Sequence, residues 1–185
     1  MKHKPGLFER ILLALKLSRF DIVKMVDGKE EMYLRRFHLI KRNKFLLKLT
    51  KGKYEGLYLH HILRPDEDRH LHDHPWDFSV FVLAGGYEED IPHPKYGSSW
   101  RHGLGLLSRI WHPLSFRSSS AKQLHKISAD NFKTTWTLIF VGPKRRKWGF
   151  KTEKGWMPYD EYLPLYCPEQ VPSTDPARID PDSEE

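Results

Sequence analysis

Apolar and polar residues change rhythm several times along this chain, and each change marks an element. Residues Leu7–Phe20, LFERILLALKLSRF, place apolar side chains at 7, 8, 11, 12, 14, 15 and 17. That is the spacing of an amphipathic helix, and Pro5 stands near its start. From Ile22 the period shortens. IVKMV and MYLRRFHLI, divided by a turn at Asp27-Gly28, read as a hairpin over Ile22–Ile40. Phe45–Leu49 and Gly56–Leu63 follow as two further strands, separated by the Lys51-Gly52-Lys53 turn. After an apolar strand that stops at Gly85-Gly86, Tyr87–Gly103 turns polar and aromatic, a long hairpin connection or a lid over one barrel end. Leu104–Ile110, Leu114–Arg117, Gln123–Ile127 and Thr134–Val141 are four more strand candidates. Short apolar runs at this spacing argue for a mainly β barrel or sandwich. Trp148–Phe150 and Trp156–Tyr166 add aromatic packing, and the Pro-rich, acidic end is expected to be a tail. The expected organisation is an N-terminal helix over 1–21, a barrel over 22–166 and a tail over 167–185.

The stretch with chemistry in it is His70–Glu89, HLHDHPWDFSVFVLAGGYEE. In a strand, residues i, i+2 and i+4 share a face, so an extended chain here sets His70, His72 and His74 side by side. Imidazole is the commonest protein ligand for transition metals, and a His-x-His pair feeding directly into an apolar strand points to a metal site at the mouth of a barrel. His93 and His102, in the polar connection, read as exposed.

Composition narrows the field. A chain of 185 residues with 39% hydrophobic and 13% aromatic content has enough apolar material for one domain with a real core. Its single cysteine, Cys167, excludes an internal disulfide framework and a Cys-based zinc site, and fits a reducing, cytoplasmic compartment. The N-terminal apolar run is interrupted by Glu9, Arg10 and Lys16, which argues against a signal peptide, and no stretch approaches the length of a membrane span. The net charge of +7 is uneven: residues 1–53 carry 15 Lys/Arg against 5 Asp/Glu, and residues 159–185 carry 1 against 8. A basic front half permits nucleic acid or phosphate as a partner without requiring either.

With these residues in view, the chain resembles the cupin superfamily, whose fold is a double-stranded β-helix of antiparallel strands. Its first motif has the form G-x5-H-x-H-x3–4-E-x6-G. Here His72 and His74 fill the histidine pair, Gly86 fills the last glycine, Ser79 stands in the glutamate's place and Asp66 in that of the leading glycine. Pro113–Ile127, PLSFRSSSAKQLHKI, resembles the second cupin motif, with Ser115 in place of its glycine and His125 as the third metal histidine. The wider pattern HDHPW…GGY, a histidine strand, WTLIFVGPKRRKWGF and GW resembles small cupin-like proteins often encoded by phages and their hosts, over roughly residues 30–165.

The resemblance implies a cupin-type barrel with an N-terminal helix and hairpin, binding a divalent ion through His72, His74 and His125. Fe(II) is favoured, with Mn, Ni or Zn as alternatives. Three neutral imidazoles leave the ion's full charge and open positions in place, which suits small anionic substrates and an oxygenase-like reaction. His70 and Asp77 are candidate extra ligands. Arg64, Arg109 and Arg117, with Trp76 and Trp136, are candidates to line a substrate site. No residue is singled out as acid or base. Two other readings stay open: a cupin that binds or senses a ligand without turnover, and a phage-type structural or nucleic-acid-interacting protein. A homodimer is also left open.

Overall fold

The computed structural model describes residues 6–15, 17, 19–26, 29–66, 69–93, 105–129 and 132–167. The Asp27-Gly28 turn, His102 and the tail beyond Cys167 lie outside these. Fourteen elements follow in chain order. They are α1 (Leu7–Ala14), β1 (Arg19–Val26), β2 (Lys29–Ile40), α2 (Lys44–Leu49), β3 (Gly56–Ile62), β4 (Leu71–His72) and β5 (Trp76–Pro92). Then come β6 (Leu106–Trp111), β7 (Phe116–Ser119), β8 (Lys126–Ile127), β9 (Lys133–Lys144), β10 (Gly149–Thr152), β11 (Gly155–Pro158) and α3 (Tyr159–Tyr166). The protein is mainly β, and every strand pair is antiparallel. Among the described residues no helix is long and apolar enough to cross a membrane.

The large sheet runs β1-β2-β3-β9-β5-β6, with β7 and β8 also paired to β5. Its two faces follow from side-chain alternation. On one face Leu34, Tyr58, Ile62, Trp76, Phe78, Val80, Val82, Ile139 and Val141 make the main core. On the other, Phe37 and Leu59 pack with Leu12 of α1 and with Leu83, Trp136 and Leu138. Helix α1 is tied down by more than apolar contact: its buried Glu9 pairs with Arg35, which also donates from Nε to Asp21 at 2.9 Å.

β5 is the spine of the fold, and a glycine pair divides it. Residues before Gly85 pair with β9 and β7, those after Gly86 pair with β6 and β8. Gly85 and Gly86 have φ of 83° and 138°, and the β5–β9 register slips on either side of Ala84. Such a bulge changes which residues face inward. Before it the even positions 76, 78, 80 and 82 are buried; after it the odd positions Tyr87, Glu89 and Ile91 are. The second sheet, β11-β10-β4, is small and rests on α3 through Phe150 and Tyr162, whose rings stack at 3.7 Å.

Three expectations are corrected. The strand does not stop at Gly85-Gly86: β5 runs on to Pro92, so the first residues of the expected connection are strand paired with β6. Phe45–Leu49 is not a strand but most of α2, where the side chain of Asn43 accepts from Leu46 N at 2.7 Å and caps the first turn. The N-terminal helix stops at Ala14, and Arg19–Asp21 already belong to β1.

Candidate metal centre

Two chain segments bring three histidines together. β4 carries His72, and the backbone of His72 pairs directly with that of His125: His72 N donates to His125 O at 3.0 Å and His125 N to His72 O at 2.9 Å. On its other edge β4 pairs with β10, His72 opposite Phe150. His74 follows two residues on, its amide held by Ala121 O at 3.1 Å. Asp73, between them, points the opposite way. It is buried and accepts from Gly149 N at 2.8 Å, from Trp156 Nε1 at 2.9 Å and from Arg146 at 2.5 Å. Burial raises the Asp73 pKa, and these hydrogen bonds and the Arg146 charge work against that rise. With its neighbour anchored behind, the His72/His74 pair is locked facing inward.

One nitrogen from each of His72, His74 and His125 lies within 4.8 Å of the others. His74 Nε2 and His125 Nε2 are 2.7 Å apart. The pKa of His74 is held well below that of a free imidazole, first by burial and then by the charges of His125, His72, Arg117 and Arg36. A neutral ring offers a lone pair, the form a metal needs.

Behind His125 stands Glu89. His125 donates from Nδ1 to Glu89 Oε1 at 2.6 Å, Trp111 donates from Nε1 to Oε2 at 2.9 Å, and Arg117 Nη2 pairs with Oε1 at 2.7 Å. Burial alone would push the Glu89 pKa up, but the bond from His125, the charges of His125 and Arg117 and the bond from Trp111 hold it down. An ionised carboxylate on Nδ1 fixes the proton there and leaves Nε2 as the ligand atom, the usual backing of a metal-bound histidine. A second buried carboxylate, Asp66, takes the amide of Ile127 at 2.8 Å and the hydroxyl of Tyr33. Burial opposes its ionisation, yet His72, Lys24, Tyr33 and the Ile127 amide bring its pKa down to about 2. The donor set, three imidazoles of which His125 is backed by an ionised glutamate, therefore fits one divalent ion.

The glutamate position of the cupin-like motif is filled differently from the sequence reading. Ser79 faces away from the histidines and bonds Tyr54 at 2.5 Å and Ser118 at 2.7 Å. Phe78, one residue earlier and on the inner face, sits against His74 with ring centroids 4.7 Å apart, and lies 6.1 Å from His125. The inner-face residue at this motif position is thus an aromatic ring, which offers no ligand atom.

Of the other candidates, only Arg117 reaches the centre, through Glu89 and over the rings of Phe78 and Trp111 at 5.3 and 5.5 Å. His70 is not brought there. The chain bends at Arg69-His70, so strand parity does not extend to it, and its Nδ1 and Nε2 meet Tyr162 Oη at 2.9 Å and Glu153 at 3.1 Å. Asp77 lies on the opposite face from Trp76 and Phe78, accepting from Ala121 N at 2.7 Å and pairing with Arg145 at 3.4 Å. Arg109 is exposed on β6, and Arg64 pairs with Glu31. Trp76 is buried core under the guanidinium of Arg42, and Trp136 stacks on His61 at 4.0 Å on the outer face. His93 is partly buried, its amide on Gly105 O at 2.9 Å. Glu89, Phe78 and Trp111 were not found from the sequence. The signal for Glu89 was the glycine pair that reverses the inward parity of β5.

No protein-family model matches the chain, and no curated protein does. Among solved structures it is similar to a cupin-2 domain protein from Rhodospirillum rubrum, 12% identical over 76% of this chain and 78% of that one, with a TM-score of 0.49. It is also similar to a cupin 2 conserved barrel domain protein from Rhodopseudomonas palustris, 9% identical over 75% and 80%, with a TM-score of 0.49. A third is the polyketide cyclase RemF from Streptomyces resistomycificus, 13% identical over 82% and 92%, with a TM-score of 0.47.

Proposed function

We propose that this chain is a cupin-type, metal-dependent enzyme that holds one divalent ion on His72, His74 and His125 and acts on a small anionic substrate. The observation that carries this is the convergence of three ring nitrogens within 4.8 Å, one of them on a histidine backed by a buried, ionised glutamate. When bound, the ion supplies Lewis acidity, and if it is iron, redox chemistry of the oxygenase kind. Fe(II) is the ion favoured by the cupin-like motif, with Mn, Ni and Zn behind it. Three neutral ligands cancel none of the ion's charge, and Phe78 adds no fourth donor, so an anion is the natural complement. Glu89 and Arg117 orient His125. Phe78 packs against His74 on one side of the site.

The nucleic-acid reading draws on the basic front half, yet several of its arginines are turned to internal partners. Arg35 pairs with Glu9 and Asp21, Arg36 bonds His60, and Arg42 pairs with Glu55. Elemental analysis of the purified, untagged protein tests the proposal. About one equivalent of metal is expected, lost in His72→Ala and in His125→Ala. Iron leads to oxygen-consumption assays on small carboxylates and phosphonates; zinc moves weight to hydrolysis. A metal-free protein after supplementation, unchanged in both variants, sinks the reading.

A further inference from the structure

The inner face of the large sheet carries a second polar group besides the histidine centre. On β2 and β3, Leu34 pairs with Ile62, Arg36 with His60 and His38 with Tyr58. Leu34, Ile62 and Tyr58 belong to the main core, so alternation puts Arg36, His38 and His60 on the same inward face. The contacts agree. Arg36 donates from Nε to His60 Nε2 at 3.0 Å and lies over the Tyr58 ring at 5.3 Å, while His38 stacks on that ring at 4.6 Å.

Arg36 is buried, and its positive charge is felt at His74 across the interior. His60 is held neutral, first by burial and then by the charges of Arg36 and His38. Because Nε2 accepts from Arg36, the His60 proton sits on Nδ1, which makes that atom a donor. His60 and His74 share one further property. Both are partly buried and keep solvent-accessible surface. Arg36 and His60 thus stand on the inner sheet face whose core residue Phe78 touches the ring of His74. A cationic fork and a neutral N–H donor, on the sheet face that also carries the ring packed against His74, form a site of one sign that concentrates anions.

We propose that Arg36 and His60 seat the oxyanion, carboxylate or phosphate, of a small substrate whose other end meets the three histidines. The inference deepens the metal-enzyme reading of this same site, but the seat itself does not need the ion. Metal-free protein with labelled histidine rings is titrated with inorganic phosphate and, separately, with pyruvate. One of the two is expected to bind, with a Kd on the order of 1 mM for so few atoms, and to move the His60 ring resonances, assigned with His60→Gln. Phosphate alone assigns a phosphate substrate, pyruvate alone a carboxylate. Arg36→Gln should weaken binding by about 10- to 100-fold, the worth of a charged hydrogen bond. Lys48→Gln, which removes the same charge from exposed α2, should leave it unchanged.

If neither probe binds, or Arg36→Gln binds as well as the wild type, the proposal is overturned. Should Arg36→Gln fail to fold, the wild-type spectra decide: binding that leaves His60 unmoved overturns it equally. Metal uptake, measured by supplementing the same preparations afterwards, separates the two readings. A His60 response without any metal uptake refutes the metal centre and keeps the seat. Metal uptake without a His60 response does the reverse.

Discussion

Replacing Glu89 by Gln tests the centre at its most heavily bonded carboxylate. The side chain is 2% exposed and its partner Arg117 is 10% exposed, so the pair is screened by protein rather than water. Glutamine keeps one acceptor for His125 but presents an NH2 group where the carboxylate faced three donors, at 2.6, 2.7 and 2.9 Å. Two losses are expected, and they are separable. Leaving the Arg117 charge buried without its counter-ion costs about 3–5 kcal/mol, which in a chain of this size lowers Tm by about 10 °C. Removing the negative charge behind His125 weakens metal binding by about 10- to 100-fold, the usual effect of losing a carboxylate behind a metal histidine. Thermal unfolding of the metal-free protein reads the first, and competition with a chromophoric chelator reads the second. The double variant Glu89→Gln/Arg117→Met removes the stranded cation and is expected to regain most of the stability while keeping the weakened metal affinity. A Glu89→Gln protein that folds and holds metal as tightly as the wild type would refute the role given to this carboxylate.

Three other outcomes are expected. In Gly85→Ala the new Cβ would meet Thr134 O at 2.2 Å at a φ of 83°. The denaturant midpoint should therefore fall by more than the backbone strain of about 1–3 kcal/mol, whereas Gly155→Ala, with nothing within 4 Å of its Cβ, should show the strain alone; equal losses would contradict the bulge argument. Phe78→Glu supplies a carboxylate beside His74, so the metal-free protein should lose about 3–5 kcal/mol of packing and regain much of it with metal, giving a larger metal-dependent rise in Tm than the wild type. Asp66, whose folded pKa of about 2 lies below the ordinary 3.8, contributes stability that is present above pH 3.8 and lost as the pH falls toward 2. Asp66→Asn should flatten the stability profile in that window, and an unchanged acid limb in urea unfolding would count against it.

What could be read without coordinates was whatever local alternation determines. His72 and His74 share a face because they are two residues apart, and Asp73 shows the converse by anchoring behind them. The strand runs at Gly56, Leu106 and Thr134 are visible as short apolar segments bounded by turn residues. Phe45–Leu49 failed because five apolar-rich residues do not distinguish a strand from one helical turn; the cap at Asn43 was the missing cue. Ser79 was placed in the glutamate's position because the motif admits two spacings, and only the inward face of β5 decides that Phe78 holds it. Glu89 and Arg36 escaped for a different reason. Each acquires its role from a partner more than twenty residues away, His125 and His60, and no periodicity within a window records such a pairing. The fold class followed from pattern, whereas the pairing of Arg36 with His60 followed from register.

The rung that joins His72 to His125 bears on the order of folding and any metal binding. Two backbone bonds, at 3.0 and 2.9 Å, set these ligands opposite each other before any metal is present, and antiparallel pairing makes their spacing independent of the length of the chain between them. On the metal-centre reading, two of the three ligands are thus set by the sheet before any ion binds. Loading would then be a late event, separate from the collapse of the polypeptide. A chelator should be able to empty such a site and leave a native apoprotein behind, ready to take up whichever ion the compartment offers, so that the identity of the resident metal is decided by supply as much as by the three rings that hold it.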